Sequence, residues 1–202
     1  MPAGTKAERR AAVLARRKAL PPDVHRAESR RLCDHLADAV VGATTVCAYW
    51  PVGSEPGTPD LLDRLAQLCA VVLLPVTVVG TDGRHQALRW GAYRPGHLDS
   101  GRFGLREPAG ETQGPEAIAD AEVVLVPALA VDRRGVRLGR GGGFYDRSLA
   151  LCRPGARLVA VVRDDEVVDE LPREPHDVPM THALTPAGVI TLRGMPGAGS
   201  LF

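Results

Sequence analysis

A glycine-rich stretch that also carries charged residues, GVRLGRGGGFYDRSL at 135–149, is the part of the sequence best suited to bind an anion. Its glycines would let backbone amides approach a phosphate closely, and the residues from Phe144 onward predict a helix whose N-terminus favours negative charge. Arg137 and Arg140 each offer a planar guanidinium fork that suits phosphate or carboxylate. Asp146, just inside the helix, could hold a divalent cation that bridges phosphate oxygens.

Each of these residues also has an ordinary explanation when it is taken alone. Asp146 could be a first-turn acid favoured by the helix dipole, and the two arginines could be loop charges at the surface. The stretch lacks the P-loop pattern GxxxxGK[ST], and its glycines match the dinucleotide-binding pattern poorly. Only the combination of arginines, glycines and an acid at a strand-to-helix junction favours a phosphate site.

Three other segments carry groups that could bind a ligand. Lys6 and Arg10 are four residues apart on one face of a basic helix and could reach one anion together, although such a run is more often a solvated face. Trp50, at the end of a predicted strand, and Glu55, in the loop after it, could form a pocket wall, or only a capping loop with the indole in the core. Between prolines, His176 and Asp177 could be a metal pair or a rigid turn.

The elements that must position these residues alternate between helix and apolar strand. Helical spacing, caps and breakers predict helices over 5–20, 23–42, 58–68 and 144–151. Apolar and β-branched runs predict strands at 44–52, 69–76, 86–93, 121–132 and 156–162, a short final strand within 181–192, and a long loop between Tyr93 and Pro115. This alternation predicts an α/β fold, in which residues 1–194 form a single layered domain with a central, mostly parallel sheet flanked by helices, and 195–202 form a flexible tail.

The bulk composition narrows the functional classes. The 202 residues include 25 Lys and Arg against 24 Asp and Glu, so no overall field attracts nucleic acid or an anionic membrane. The chain has no apolar run of membrane-spanning length, and its basic N-terminus lacks the pattern of a secretory signal, so we expect a cytoplasmic protein. The four cysteines lack metal-site spacing and are expected to be reduced thiols.

Taken in order along the chain, five segments resemble the 5-formyltetrahydrofolate cyclo-ligase family. They are KAERR at 6–10, YWPVGSEPGT at 49–58, FGLREP at 103–108, VLVPALAVDRRGVRLGRGGGFYDR at 124–147 and PHDVPMTHALTP at 175–186. The resemblance implies the fold shared by sugar-phosphate isomerases and CoA transferases. It also implies conversion of 5-formyltetrahydrofolate to 5,10-methenyltetrahydrofolate with ATP and Mg²⁺, in which the formyl oxygen attacks the γ-phosphate and N10 then closes the ring.

Matched positions imply a role for individual residues. Arg140 would stabilise charge on the transferred phosphoryl group, and Tyr145 would sit where folate meets ATP. The implied ATP contacts are Lys6, Arg10, Arg137, Gly139, Arg140, Gly141, Gly142, Gly143 and Tyr145. The implied folate contacts are Trp50, Glu55, Arg140, Gly142 and Phe144. Asp146, with Asp177 as a second acidic contact, would bind Mg²⁺.

The chain departs from the family pattern at three positions. Gly142 stands where many members have Lys, Phe144 where Tyr is common, and Thr181 where an acid is frequent, which weakens the last segment as a source of a second metal ligand. We expect ATP and a reduced folate as the partners of a monomer, with no nucleic acid and no membrane. The alternatives are an inactive, nucleotide- or RNA-associated homologue of the same fold, and a sugar-phosphate isomerase that needs no ATP.

Overall fold

The computed structural model describes residues 4–175 and 177–193. The predicted tail at 195–202 and His176 of the possible metal pair lie outside these residues. The helices of the described part are α1 (Lys6–Ala19), α2 (Pro22–Asp34), α3 (Leu36–Ala39), α4 (Asp60–Leu68) and α5 (Phe144–Leu149). The strands are β1 (Thr45–Cys47), β2 (Val71–Val76), β3 (Arg89–Ala92), β4 (Leu98–Ser100), β5 (Arg106–Pro108), β6 (Val123–Pro127), β7 (Ala130–Asp132), β8 (Arg137–Leu138), β9 (Arg157–Val161), β10 (Val167–Val168), β11 (His182–Thr185) and β12 (Gly188–Thr191).

A seven-stranded sheet in the order β12-β11-β9-β6-β1-β2-β3 forms the centre of the fold. The five inner strands are parallel, and an antiparallel strand closes each edge. Alternate residues of β6 point into opposite halves of the core. Val123 and Leu125 pack with leucines of α2, α3 and α4, whereas Val124 and Val126 pack with a cluster that includes Trp90. The prediction of a mostly parallel sheet flanked by helices is therefore confirmed.

The chain order of the strands creates a switch point in the sheet. From β1 the chain passes through α4 to β2 on one side, and later returns to place β6 on the other side of β1. Ligands of open α/β sheets bind beyond the carboxyl ends of the strands at such a point. Tyr49 and Trp50 follow β1 here, and Ala128 and Leu129 follow β6.

Three sequence predictions about elements are wrong in detail. The loop expected after Tyr93 contains a hairpin of β4 and β5, whose strands of three residues are half exposed and too short to show an apolar pattern. The strand expected over 121–132 is broken after Pro127, and the N–H of Leu129 then donates to the carbonyl of Leu138 in a second, three-stranded sheet. The final segment forms two strands rather than one, β11 and β12, and Gly188 takes a positive φ where their turn ends.

The second helix breaks at His35, which separates α2 from α3. All four cysteines are free thiols, as expected. No described helix combines the length and apolar character needed to cross a bilayer.

Candidate active site

A pocket of about 420 Å³ opens at the carboxyl ends of β1, β2 and β6. Its volume lies in the usual range of small-molecule sites, about 300–1,000 Å³. The predicted site residues that line it are Trp50, Glu55, Arg137, Gly139, Arg140, Gly141, Gly142, Gly143, Phe144, Tyr145 and Asp146. A depression of about 500 Å³ between α2 and α4 contains none of these residues, and its lining is mainly charged and polar. The switch-point pocket is therefore the candidate site.

The glycine stretch forms one wall of the pocket in a conformation that suits glycine. Gly141 has a φ of +95° and Gly143 a φ of +72°, in the left-handed region that other residues rarely adopt. The carbonyl of Gly142 accepts a hydrogen bond from Nδ1 of His85 at 2.7 Å, and the His85 ring stacks on Phe144 with centroids 4.1 Å apart. The stretch is thus held from outside by the segment between β2 and β3.

The first helix supports the same wall. A capping box fixes its start, because Thr5 and Glu8 exchange hydrogen bonds at the N-terminus of α1. One turn further, Nε of Arg10 donates to the carbonyl of Gly139 at 2.8 Å. Lys6 instead contacts Glu174 at 3.0 Å and Asp177 at 3.3 Å, so the two basic residues of this face have different partners. Neither Lys6 nor Arg10 lines the pocket itself.

Two arginine–carboxylate pairs lie in the pocket. Nη2 of Arg137 lies 2.5 Å from Oδ1 of Asp146, and its guanidinium carbon lies 5.7 Å from the centroid of the Tyr145 ring. Nε of Arg140 lies 3.1 Å from Oε1 of Glu55, which joins the glycine wall to the segment after β1. The predicted charge-handling residues therefore neutralise one another in this structure.

Glu55 is the buried acid of the pocket, with a side chain only 9% exposed. Its second oxygen accepts a hydrogen bond from the N–H of Val52 at 3.0 Å. Burial raises the pKa of Glu55, while the Val52 N–H and the guanidinium of Arg140 act in the opposite direction. A buried carboxylate facing a pocket is suited to accept hydrogen bonds from a ligand's N–H groups.

Tyr145 brings an unsatisfied hydroxyl to the pocket. The hydroxyl is buried and has no hydrogen-bond partner among the described residues. Burial raises the pKa of Tyr145 well above its ordinary value, so the group remains a donor. Because an unpaired buried hydroxyl costs about 1–3 kcal/mol, a ligand atom that accepts from it would recover part of that free energy.

The metal prediction rests on Asp146 more than on Asp177. Asp146 lines the pocket, and the oxygen that does not face Arg137 has no hydrogen-bond donor in the described part of the chain. Asp177 does not line it, because Lys6 and the N–H of Glu174 hold its carboxylate. Residues 4–175 and 177–193 contain no group of three or more acids, histidines or cysteines that could hold a metal ion. One carboxylate fits Mg²⁺ that binds together with substrate phosphates, the usual arrangement for this ion.

Sequence reasoning missed several pocket residues. Arg17 belonged to a helical charge run that resembled a solvated face, yet it is buried and pairs with Glu166. His85 lay between two predicted strands, and Arg106 was part of a matched segment without a role of its own. Only the fold brings these side chains to the pocket lining.

Comparison with known proteins gives a consistent picture. Residues 2–186 match the model of the 5-formyltetrahydrofolate cyclo-ligase family. A 5-formyltetrahydrofolate cyclo-ligase of Mycolicibacterium smegmatis is 52% identical over 190 residues, which cover 94% of this chain and 98% of the relative. The Escherichia coli protein of the same name is 30% identical over 178 residues, covering 86% and 96%. The NMR structure of a 5,10-methenyltetrahydrofolate synthetase of Aquifex aeolicus superposes with a TM-score of 0.75 at 27% identity, covering 98% of this chain and 99% of that one.

Proposed function

The chain belongs to the 5-formyltetrahydrofolate cyclo-ligase family, and from this we propose that it converts 5-formyltetrahydrofolate to 5,10-methenyltetrahydrofolate with consumption of ATP. The observation that carries the proposal is the composition of the pocket. Arg137, Arg140 and glycine amides form a wall suited to phosphates, and the buried acid Glu55 lies across from them in contact with Arg140. One pocket thus offers both an anion site and a site for an N–H-rich ring.

The folate end of the site follows from the chemistry of the pterin ring. A pterin presents several N–H donors and a flat face, which suit the carboxylate of Glu55 and the indole of Trp50. The hydroxyl of Tyr145 can donate to an acceptor of either substrate, because it has no partner in the described structure. These contacts would orient the N5-formyl group toward the glycine wall.

The reaction itself requires no protein nucleophile. The formyl oxygen attacks the γ-phosphorus of ATP and ADP leaves; N10 then attacks the formyl carbon, loses its proton, and phosphate departs as the ring closes. Such phosphoryl transfer depends on positioning and on stabilising charge. Arg140 would stabilise the transferred phosphoryl group, and Arg137 with the amides of 139–143 would bind the remaining phosphates. Arg10 would support this wall from α1, where it contacts Gly139. Lys6 would reach a phosphate only by leaving its partners Glu174 and Asp177.

Asp146 is the residue that would hold Mg²⁺, through the carboxylate oxygen that Arg137 does not contact. When bound, the ion would neutralise charge on the ATP phosphates. Asp177 would not hold the ion directly, because Lys6 and the N–H of Glu174 bind its carboxylate outside the pocket lining.

The test is direct. Purified protein with ATP, Mg²⁺ and 5-formyltetrahydrofolate should develop the near-ultraviolet absorbance of the methenyl product, with one ADP released per product. Absence of product at saturating substrates would contradict the proposal, and ATP binding without turnover would favour the inactive homologue. Isomerisation of a sugar phosphate without nucleotide would favour the third alternative.

We also propose that the protein acts as a cytoplasmic monomer in which residues 1–194 form one domain. The free thiols suit a reducing compartment, and the near-neutral net charge offers no general attraction to nucleic acid. Light scattering of the purified protein would test the monomer, since a mass of twice 21.5 kDa would contradict it.

A further inference from the structure

Arg106 is the arginine of the pocket lining that has no acidic partner within the described residues. The pocket has four arginines among its lining residues. Arg17, Arg137 and Arg140 each form an ion pair, with Glu166, Asp146 and Glu55 respectively. Arg106 makes one side-chain hydrogen bond, from Nη1 to Oγ of Ser100 at 3.3 Å, and is otherwise exposed at the pocket. Its charge is therefore available to an incoming anion.

The β4–β5 hairpin holds this arginine at the pocket. Arg106 begins β5 and pairs in register with Ser100 of β4. The next residue, Glu107, accepts hydrogen bonds from the N–H and the hydroxyl of Thr77 at 2.9 and 2.7 Å, just after β2. Because neighbouring residues of a strand point to opposite sides, Glu107 fastens the hairpin to the sheet while Arg106 stays on the other side.

If the proposed function holds, charge determines which end of the folate lies near Glu55 and which end lies near Arg106. 5-Formyltetrahydrofolate has an uncharged pterin at one end and the two carboxylates of its glutamate at the other. The buried acid Glu55 would repel those carboxylates, so the pterin belongs beside Glu55 and the glutamate at the exposed part of the pocket, where Arg106 lies.

We propose that Arg106 binds a carboxylate of the folate's glutamate moiety, and so makes the enzyme prefer glutamate-bearing folates to the corresponding pteroates. The guanidinium fork matches a carboxylate in geometry as well as in charge. ATP phosphates are the other anions of the reaction, but the wall at 137–146 already supplies arginines and backbone amides for them. Arg106 comes from a different element, beyond β2.

The experiment compares two substrates and two variants. Arg106→Gln removes the charge from an exposed side chain, so folding should be unaffected. Its KM for 5-formyltetrahydrofolate should rise roughly three- to tenfold, whereas its KM for 5-formyltetrahydropteroate, its KM for ATP and its kcat should stay unchanged. Arg102→Gln is the matched control, because Arg102 is exposed on the same hairpin but does not line the pocket. It should leave all four constants unchanged.

Each contrary result has a distinct meaning. Equal rises in KM for the folate and the pteroate, a rise for ATP alone, or no rise at all would overturn the assignment of Arg106. If the wild-type protein turned over neither compound, the proposed function would fail. Calorimetry of 5-formyltetrahydrofolate binding would then still test Arg106, since equal affinities of the wild type and Arg106→Gln would overturn its role.

Discussion

Replacing Arg17 by Leu should destabilise the protein by about 3–5 kcal/mol, because it leaves a buried carboxylate without its cation. Nε and Nη2 of Arg17 donate to the two oxygens of Glu166 at 2.7 and 2.6 Å. Their side chains are 1% and 2% exposed. In the variant, Glu166 still accepts a hydrogen bond from the N–H of Arg163 at 2.8 Å, and the Arg163 guanidinium lies 3.8 Å from its other oxygen. The carbonyl of Ala128 loses the hydrogen bond that Arg17 donates to it. The remaining partners are too weak to replace the lost pair.

The preceding residue of α1 offers a matched control. Nη1 of Arg16 lies 2.8 Å from Asp165, but these side chains are 47% and 62% exposed. An exposed pair contributes about 0–1 kcal/mol, so Arg16→Leu should have a small effect although the helix, the partner segment and the substitution are the same. Urea unfolding of both variants measures the difference, with an unchanged slope showing that the same surface is exposed.

A double variant separates the charge effect from lost packing. Arg17→Leu with Glu166→Leu removes both charges, and most of the lost stability should return, since replacing a whole buried pair by apolar residues is often close to neutral. If the double variant were as unstable as the single one, or if Arg16→Leu cost as much as Arg17→Leu, burial of the ion pair would not be the cause. Because α1 also holds Arg10 against Gly139, the single variant should in addition raise the KM for ATP.

Three further expectations concern the pocket. Arg140→Lys keeps the charge but loses the planar fork, so kcat should fall on the order of 100-fold while the free energy of unfolding changes little. An unaltered kcat would show that Arg140 does not stabilise the transferred phosphoryl group. Asp146→Asn should raise the Mg²⁺ concentration for half-maximal rate several-fold, and an unchanged requirement would assign the ion elsewhere. Burial raises the pKa of Glu55, and protonation turns one of its two acceptor oxygens into an O–H donor. The protonated group accepts fewer of the N–H bonds of the pterin, so kcat/KM for the folate should fall as pH is lowered through that raised pKa. Glu55→Gln cannot titrate and should lack this acidic limb; if it kept the limb, another group would be responsible.

The order of elements and the gathering of the glycine stretch at one pocket could be predicted because their signals are local. Residues 137–146 combine arginines, glycines and an acid within one short stretch, and the apolar runs of β2 and β6 are unbroken. The β4–β5 hairpin has no such signal, because a contact distant in the chain holds its short strands: Glu107 of β5 accepts hydrogen bonds from Thr77, just after β2.

The supporting contacts of the site could not be predicted because they join residues that are distant in the chain. His85 contacts Gly142 across 57 positions, and Arg17 contacts Glu166 across 149. Taken alone, His85 is explained as a residue of a connecting segment and Arg17 as a surface charge. A single sequence provides no means to pair them.

The contact between Arg140 and Glu55 has a consequence for how two substrates would share the pocket. A phosphate that takes Arg140 leaves the buried Glu55 without its cation, and a pterin that takes Glu55 leaves Arg140 without its anion. Each half-filled state carries an uncompensated charge that the second substrate relieves, so the two should bind with positive coupling. We expect a non-hydrolysable ATP analogue to lower the Kd for 5-formyltetrahydrofolate by about tenfold in calorimetry, and Glu55→Gln to reduce this factor. Equal folate affinities with and without the analogue would show that the pair does not link the two sites.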